Sequence, residues 1–454
     1  MSADKPFQPV DGESLVALEA HVQAVLTCAR DQGADACEAL ARQVVSIEQG
    51  AAAGQLEQPA TVSQQQIYLA VYRNNRKGRR VIALDAALDP RAAVAEALAL
   101  AAEADEDPSE GPALEQDLAW NPVDLDLYHD WPPSPSALQD RVMECERATE
   151  LGDERILGTR RTSLSATAIA QVFGNSHGLA VGYVDTTYQL STYVRAQHGE
   201  ERRTAGEFKI ARDLAGLGQA GELGNLAARR AIDHLGGRRL PVERCAHVFT
   251  PSASIWVLSS LIQALQGQAV STGRSIAAGR QGEALFAPGI GVVESPFQLK
   301  GVGSSPFDLE GCAIDAGPFV EAGLLQRYAL DSVSARRLGL SNTGNASATL
   351  KEARNLAFIP GTGSQADLLG NMGQGVLVAE ARAPQVDIEA GTFSLKAIGF
   401  WVENGIVQYP LEPFTIESPL LELWQKISEV GSDLQQISRI CGTSVLIDDL
   451  IVHH

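Results

Sequence analysis

Gly399-Phe400-Trp401-Val402-Glu403-Asn404-Gly405-Ile406-Val407-Gln408-Tyr409-Pro410 reads as a strand, a tight turn and a second strand. Phe400, Trp401 and Val402 suit a pleated, half-buried surface, and Ile406, Val407 and Tyr409 do the same on the far side. Between them, Asn404 and Gly405 are the residue types that tolerate positive φ, as a short hairpin turn requires. The chain leading up to this hairpin has the same grain. After Pro241 comes one buried-looking strand at 246–249 and one strongly apolar helix at 255–265, and most of the rest is short strands and glycine turns. A helix followed by many strands predicts an α+β, mainly-β unit rather than a doubly wound sheet. No period of about 20 to 50 residues is present, which argues against a solenoid.

Upstream, Leu15, Val16, Leu18, Val22, Val25 and Leu26 recur at helical spacing, with Ser14 as N-cap and Gly33 as the stop. Ile67, Leu69 and Val71 then alternate, Asn74-Asn75-Arg76-Lys77-Gly78 turns the chain, and Val81-Ile82 resumes, which predicts a hairpin. Asp89-Pro90 opens an alanine-rich helix to about residue 102, and a further helix follows at 136–148. The segments 163–173 and 183–194 are rich in Thr, Val, Ile and Tyr and predict two strands joined by Gly174-Asn175-Ser176-His177-Gly178. Helical spacing returns at 223–235 and ends at Gly236-Gly237. The fold class expected is therefore α+β, with an N-terminal α/β domain over 1–240 and a mainly-β C-terminal domain over 241–454 that carries the apolar helix.

Bulk properties narrow the function. Of 454 residues, 45% are apolar and 20% charged, the composition of a chain that buries its own cores. The net charge of −20 would repel a phosphate backbone, so no nucleic-acid partner is expected. Much of the acidity lies between Glu103 and Asp126, which reads as a solvated connector; Pro108 interrupts it, and Gly111 misses the glycine position of a calcium loop counted from Asp105. The first ten residues hold no apolar run of signal-peptide length, and no window reaches the roughly 18 apolar residues of a membrane span, so a cytoplasmic protein with no membrane partner is expected. Six scattered cysteines without CxxC spacing are expected to be reduced. His453 and His454 close the chain, as native residues or as a tag remnant.

Candidate chemistry is sparse. The glycine-rich stretches 361–364 and 370–375 lack the Lys-Ser/Thr ending of a phosphate loop and read as turns. Residues 174–178 spell GxSxG with Ser176 at the nucleophile position, but a hydrolase elbow joins a strand to a helix and this stretch joins two strands. His177 is a general base or a local hydrogen-bonding turn residue. Ser259 and Ser260 lie on the apolar helix with no base at useful spacing, and Cys441 is a reactive thiol or a small buried hydrophobe. No HExxH occurs.

Several blocks together resemble the TldD/PmbA family of zinc metallopeptidases, and within it the TldE (PmbA) branch. They are Asn75-Arg76-Lys77-Gly78; Val172 through Gly178; Ser304-Ser305-Pro306-Phe307-Asp308-Leu309-Glu310-Gly311; Ser334 through Leu340; Gly361-Thr362-Gly363-Ser364; and the opening hairpin, whose phenylalanine-tryptophan form is typical of the TldE side. In the TldD branch an HExxxH helix supplies two zinc ligands and a catalytic glutamate, and a cysteine near the C-terminus supplies the third ligand. The resemblance places the two histidines on Ser259 and Ala264, the glutamate on Ser260 and the cysteine on Cys441. It implies a chain with no catalytic residues and no metal of its own, since one thiolate cannot hold an ion that needs three protein ligands. It further implies a heterodimer with a TldD-type HExxxH subunit that carries the zinc, and unfolded or modified precursor peptides as substrates. Gly399, Phe400, Trp401, Glu403 and Asn404 are the residues expected to face substrate or partner. One departure stands out: where the family carries Gly-Asp-Tyr/Phe-Ser, this chain has Gly391-Thr392-Phe393-Ser394, preceded by Pro384. Two other readings stay open at this point, a homodimeric peptide-binding scaffold without hydrolysis and an independent hydrolase using Cys441 or Ser176.

Overall fold

A central strand flanked by two hairpins makes the first sheet. Strands β1 (Ala36–Ala52), β2 (Ala60–Arg73), β3 (Arg76–Ala83), β4 (Ile156–Asn175), β5 (Ala180–His198) and β6 (Glu201–Ala211) lie in the order β3-β2-β1-β4-β5-β6, every neighbour antiparallel. The structure is a computed structural model, and it describes residues 10–84, 89–347 and 353–453. The first hairpin closes on Asn74 and Asn75, with φ of 52° and 55°, the conformation asparagine tolerates best after glycine. Four helices, α1 (Gly12–Asp31), α2 (Pro90–Glu103), α3 (Pro135–Ala148) and α4 (Ala220–Asp233), cover one face. Leu18, Val22 and Val25 of α1 pack on Cys37, Ala39, Ala41 and Val45 of β1, which alternate as a strand with one buried face should. Leu138 and Val142 of α3 meet Leu164 and Tyr188, and three alanines of α4 meet Val194, Ala196 and Ala205.

The second unit is a strand ring around a helix. Its principal elements, beside shorter strands and one further short helix, are β7 (Arg244–Phe249), α5 (Pro251–Ala264), α6 (Ser332–Leu338), α7 (Gln365–Met372), β8 (Gly375–Asp387), β9 (Thr392–Glu403), β10 (Ile406–Pro410), β11 (Phe414–Pro419), α8 (Leu420–Gln425), β12 (Ile427–Val430) and β13 (Val445–His453). Strand β7 pairs in parallel with β8, β8 with β9, β9 with β11, β11 with β13, and β13 returns to β7, so the pairings close. Closure removes edges that would otherwise template aggregation. The buried side chains Val257, Leu258 and Leu261 of α5 share one core with Phe249, Val376, Phe393, Leu395, Ile416 and Ile447 from the ring. No helix among the described residues is long and apolar enough to cross a membrane.

The uncovered face of the first sheet meets this second unit. Leu40, Phe173 and Val181 pack there against Phe307 and Cys312, and Tyr183 meets Phe307 edge-on at 5.3 Å.

Several sequence expectations need correction. Ser14 is not the N-cap of α1: Asp11 is, and Ser14 sits three residues in, reciprocating through its own hydroxyl. The acidic stretch is only partly solvated. Ala113, Leu118 and Ala119 are buried, Asp107 pairs with Arg337 at 2.5 Å, and Arg336 donates to the carbonyls of Ser109, Gly111 and Pro112, so the connector is stitched to α6. The loop 361–364 does lead into a helix, since Ser364 caps α7, but Ser364 and Asp367 satisfy each other's backbone there. His453 is paired with Thr415 within β13, whereas His454 and residues 1–9 lie outside the described residues.

Candidate active site

A cavity of about 880 Å³ opens against one stripe of α5. Strand β7 runs directly into this helix. Thr250 N–H donates to Val378 O, its hydroxyl reaches Ala379 O at 3.1 Å, and Pro251 occupies the first helical turn, where its missing N–H costs nothing. Most of α5 is buried, but Trp256, Ser259 and Gln263, spaced three and four apart, line the cavity together.

The opposite wall is the segment that departs from the family pattern. Pro384, Gln385, Val386 and Asp387 from the end of β8, and Thr392, Phe393 and Ser394 from the start of β9, face the helix across the cavity. Asp387 shapes the turn between them by accepting from the N–H groups of Glu389 and Ala390. Glu417, Ser418, Pro419, Ile451 and His453 complete the lining, and the Glu417 carboxylate lies 3.4 Å from the His453 imidazole.

Of the four positions that the resemblance assigns to the zinc site, one faces the cavity. Ser259 Oγ accepts from Gln263 Nε2 at 3.2 Å. Ser260 is turned about 100° from it and is fully buried, donating to Val257 O and accepting from the Trp424 indole. Ala264 lies about 140° from Ser259 on this regular helix and has no exposure, so side chains at 259 and 264 diverge. Cys441 is 6% exposed; burial pushes its thiol up to about 11, so it is protonated at neutral pH.

The hairpin block divides. Gly399 and Trp401 lie inside the fold: a Cβ on Gly399 would stand 2.1 Å from Leu377 O, and Trp401 is 2% exposed with its indole donating to Glu403 at 2.8 Å. Phe400 packs on His234 of the first unit at 5.7 Å between ring centroids. Glu403 and Asn404 reach solvent at the tip, where Asn404 takes φ 52°. Ser176 and His177 do not line the cavity; they sit in a turn where Ser176 Oγ accepts from Cys37 N–H.

Sequence reasoning missed one ionisable group. Asp308, Glu310 and Cys312 bring their ligand atoms within 4.8 Å of one another, the one such cluster among the described residues. Burial raises both carboxyls well above the usual carboxylate range, Glu310 adding to the rise at Asp308 and Glu38 to the rise at Glu310. Asp308 is nevertheless committed to structure, accepting from the N–H groups of Glu310, Cys312 and Ala346. The 304–311 block contains this aspartate, and its Asp-x-Glu-Gly spacing was the available signal.

Residues 243–454 match the PmbA/TldA metallopeptidase C-terminal domain, and residues 128–235 match the PmbA/TldA metallopeptidase central domain. The metalloprotease PmbA of Escherichia coli O157:H7 is 31% identical over 420 residues, which cover 92% of each chain. A TldD homologue of Haemophilus influenzae is 28% identical over only 177 residues, 37% of each chain. The crystal structure of TldE from Thermococcus kodakarensis superposes with a TM-score of 0.82 over 96% of this chain and all of the other, at 18% identity, which establishes a common fold. The chain therefore belongs to the TldD/PmbA metallopeptidase family, on its PmbA/TldE branch.

Proposed function

We propose that this chain is the non-catalytic subunit of a heterodimeric metallopeptidase, pairing with a TldD-type HExxxH chain, closing its cavity and holding an extended peptide for cleavage by the partner's zinc. One observation carries the reading: the helix that borders the cavity offers it Trp256, Ser259 and Gln263, none of them an acid, a base or a metal ligand of the family's kind. The donor set here does not fit zinc, because Ser260 is consumed by Trp424, Ala264 has no donor atom and Cys441 is left as a lone thiol where three protein ligands are needed. The cavity is large enough for several residues of extended chain. Its walls include the strand ends of β8 and β9, and polar side chains such as Gln263, Gln385 and Ser394 offer sequence-tolerant hydrogen bonds. Unfolded or precursor peptides suit such a lining.

The test is co-expression with a TldD-type chain. A stable mixed complex with peptidase activity, and a metal-poor, inactive isolated chain, are the results expected. Stoichiometric zinc together with peptidase activity in the isolated chain would overturn the reading. A chain that forms only a peptide-binding homodimer, with no mixed complex, would make it a scaffold.

A further inference from the structure

A second, smaller cavity lies in the seam between the two units, and we propose that it binds a carboxylate. Its volume is about 50 Å³. A single water needs about 10–15 Å³ by the same measure, so the space suits a group of a few heavy atoms. The first sheet contributes Arg42, Gln171 and Tyr183, and the second unit contributes Arg354 and Arg439. Register explains the convergence. Arg42 on β1 is directly opposite Gln171 on β4, which is opposite Tyr183 on β5, so all three side chains leave the sheet on the face turned to the second unit. Arg354 and Arg439 arrive from adjacent backbone, since Leu356 N–H donates to Arg439 O.

Two of these guanidiniums are uncommitted. Arg42 Nε is buried without a hydrogen-bond partner. Arg439 is exposed to solvent and makes no ion pair or side-chain hydrogen bond among the described residues. By contrast Arg354 is held by Ser305 Oγ at 2.8 Å and lies 3.9 Å from the buried Glu294. A buried guanidinium nitrogen with no acceptor, such as Arg42 Nε, is costly, and the exposed Arg439 leaves a second cation free at the same crevice. Burial, and then the Asp185 carboxylate, push the Tyr183 phenol up to about 12, and Arg439, Arg212 and Arg42 each oppose that rise.

The lining also sets the ligand's charge. Asp185 and Asp308 share the wall, the first paired with Arg212 at 2.7 Å and the second turned to backbone N–H groups. With Asp185 neutralised by Arg212 and Asp308 pushed by burial towards its neutral form, a monoanionic carboxylate matches two planar forks with a phenol and an amide beside them. The carboxylate could be a peptide's C-terminus or a free small organic acid. The peptide source rests on the function proposed above; the carboxylate chemistry does not.

Titration calorimetry and thermal melting of the full chain distinguish these cases, with trialanine, trialanine amide and sodium acetate as probes. Trialanine is expected to bind and raise the melting temperature, and the amide is expected to do neither. Arg42→Gln and Arg439→Gln should each weaken binding about tenfold or more. Without ligand, Arg42→Gln should melt no lower than the parent, since it removes an unpaired buried group, so lost binding would not reflect misfolding. Acetate binding as tightly as trialanine supports a free small acid, and much weaker acetate binding supports a peptide terminus. Equal binding of trialanine and its amide, binding unchanged in both arginine variants, or no binding of any carboxylate probe at millimolar concentration would overturn the proposal. Because only the isolated chain is used, these outcomes do not depend on whether a TldD-type partner is found.

Discussion

Trp424 Nε1 donates to Ser260 Oγ at 3.1 Å in a core where neither side chain has measurable exposure. The indole also stacks on Phe286, with centroids 5.7 Å apart and planes 15° from parallel. The position that the resemblance gives to a catalytic glutamate is thus spent on holding a tryptophan. Ser260→Ala should cost about 1–3 kcal/mol by urea denaturation, because it strands a buried N–H. Ser260→Glu should cost more, since a carboxylate would be forced among apolar groups, and should bring no peptidase activity to the isolated chain.

Gly399 is required for strand pairing. Its Cα faces the backbone of β8 so closely that a methyl group would overlap Leu377 O. Gly399→Ala should therefore lower stability by about 1–3 kcal/mol, with β8 and β9 forced apart. Asn404→Ala, at φ 52° on the exposed tip, should cost about 1 kcal/mol through backbone strain alone. If either variant melts like the parent, the hairpin is less constrained than its geometry indicates.

Much of this architecture was legible beforehand, for identifiable reasons. Helix α2 announced itself by Asp89-Pro90, the first hairpin by its asparagines, and α5 by an apolar run, because each is fixed by local chemistry. Strands β1 and β6 were missed. In β1, Glu38, Arg42 and Glu48 share one face with Leu40 and Val44, and Gln43 and Gln49 fall on the face of Cys37, Ala39 and Ala41, so neither face reads as uniformly apolar or polar. Strand β6 reads Glu-Arg-Arg-Thr-Ala-Gly-Glu, an edge strand whose charges hide its period. The cavity was invisible for another reason. Its two walls, around residues 259 and 390, are joined only by ring closure, which no local pattern encodes. The segment that departs from the family pattern, Pro384 to Thr392, forms one of those walls and is legible in the sequence.

The cavity itself gives a functional prediction. Ser259→Phe projects a ring from the α5 stripe toward Ser394 and Gln385 without disturbing the buried face of the helix. In a mixed complex with a TldD-type chain it should leave assembly intact and lower kcat/KM for a peptide substrate about tenfold or more by misplacing the bound strand. Unchanged turnover would mean that the peptide does not pass this wall.

Glu207 makes stability depend on pH near neutrality. It sits between Arg230 and Glu380 where the units meet; burial raises its carboxyl to about 7, the Arg230 charge opposing and the Glu380 charge adding to the rise. A folded pKa above the unfolded value of 4.5 means that the folded chain binds more protons between these limits. This contribution is therefore full below about pH 4.5 and is lost as pH rises through 7. Relative to Glu207→Gln, the parent should lose on the order of 2 kcal/mol between pH 5 and pH 8. Denaturant melts of both proteins at the two pH values measure the difference, and parallel curves would show that Glu207 is ionised throughout.

Arg212 fastens the two units together. Its guanidinium is buried, pairs with Asp185 at 2.7 Å, and donates to Thr186 O on its own sheet and to Gly301 O and Val302 O on the other unit, at 3.0 and 2.9 Å for Nη2. Backbone carbonyls cannot move away without unmaking the 301–304 loop, so the arginine is worth what those acceptors lose when it goes. Arg212→Met should cost about 3–5 kcal/mol, because it leaves the Asp185 carboxylate and several buried carbonyls unpaired. Arg212→Lys should recover only part of this, since one ammonium cannot serve both sides of the seam with its three donors. The loss should appear as separation of a single unfolding transition into two, visible when tryptophan fluorescence, to which the second unit contributes three of five indoles, and far-UV dichroism cease to coincide. Coincident transitions in Arg212→Met would mean that the stitching of the acidic connector by Arg336 and Arg337 is enough to keep the units cooperative.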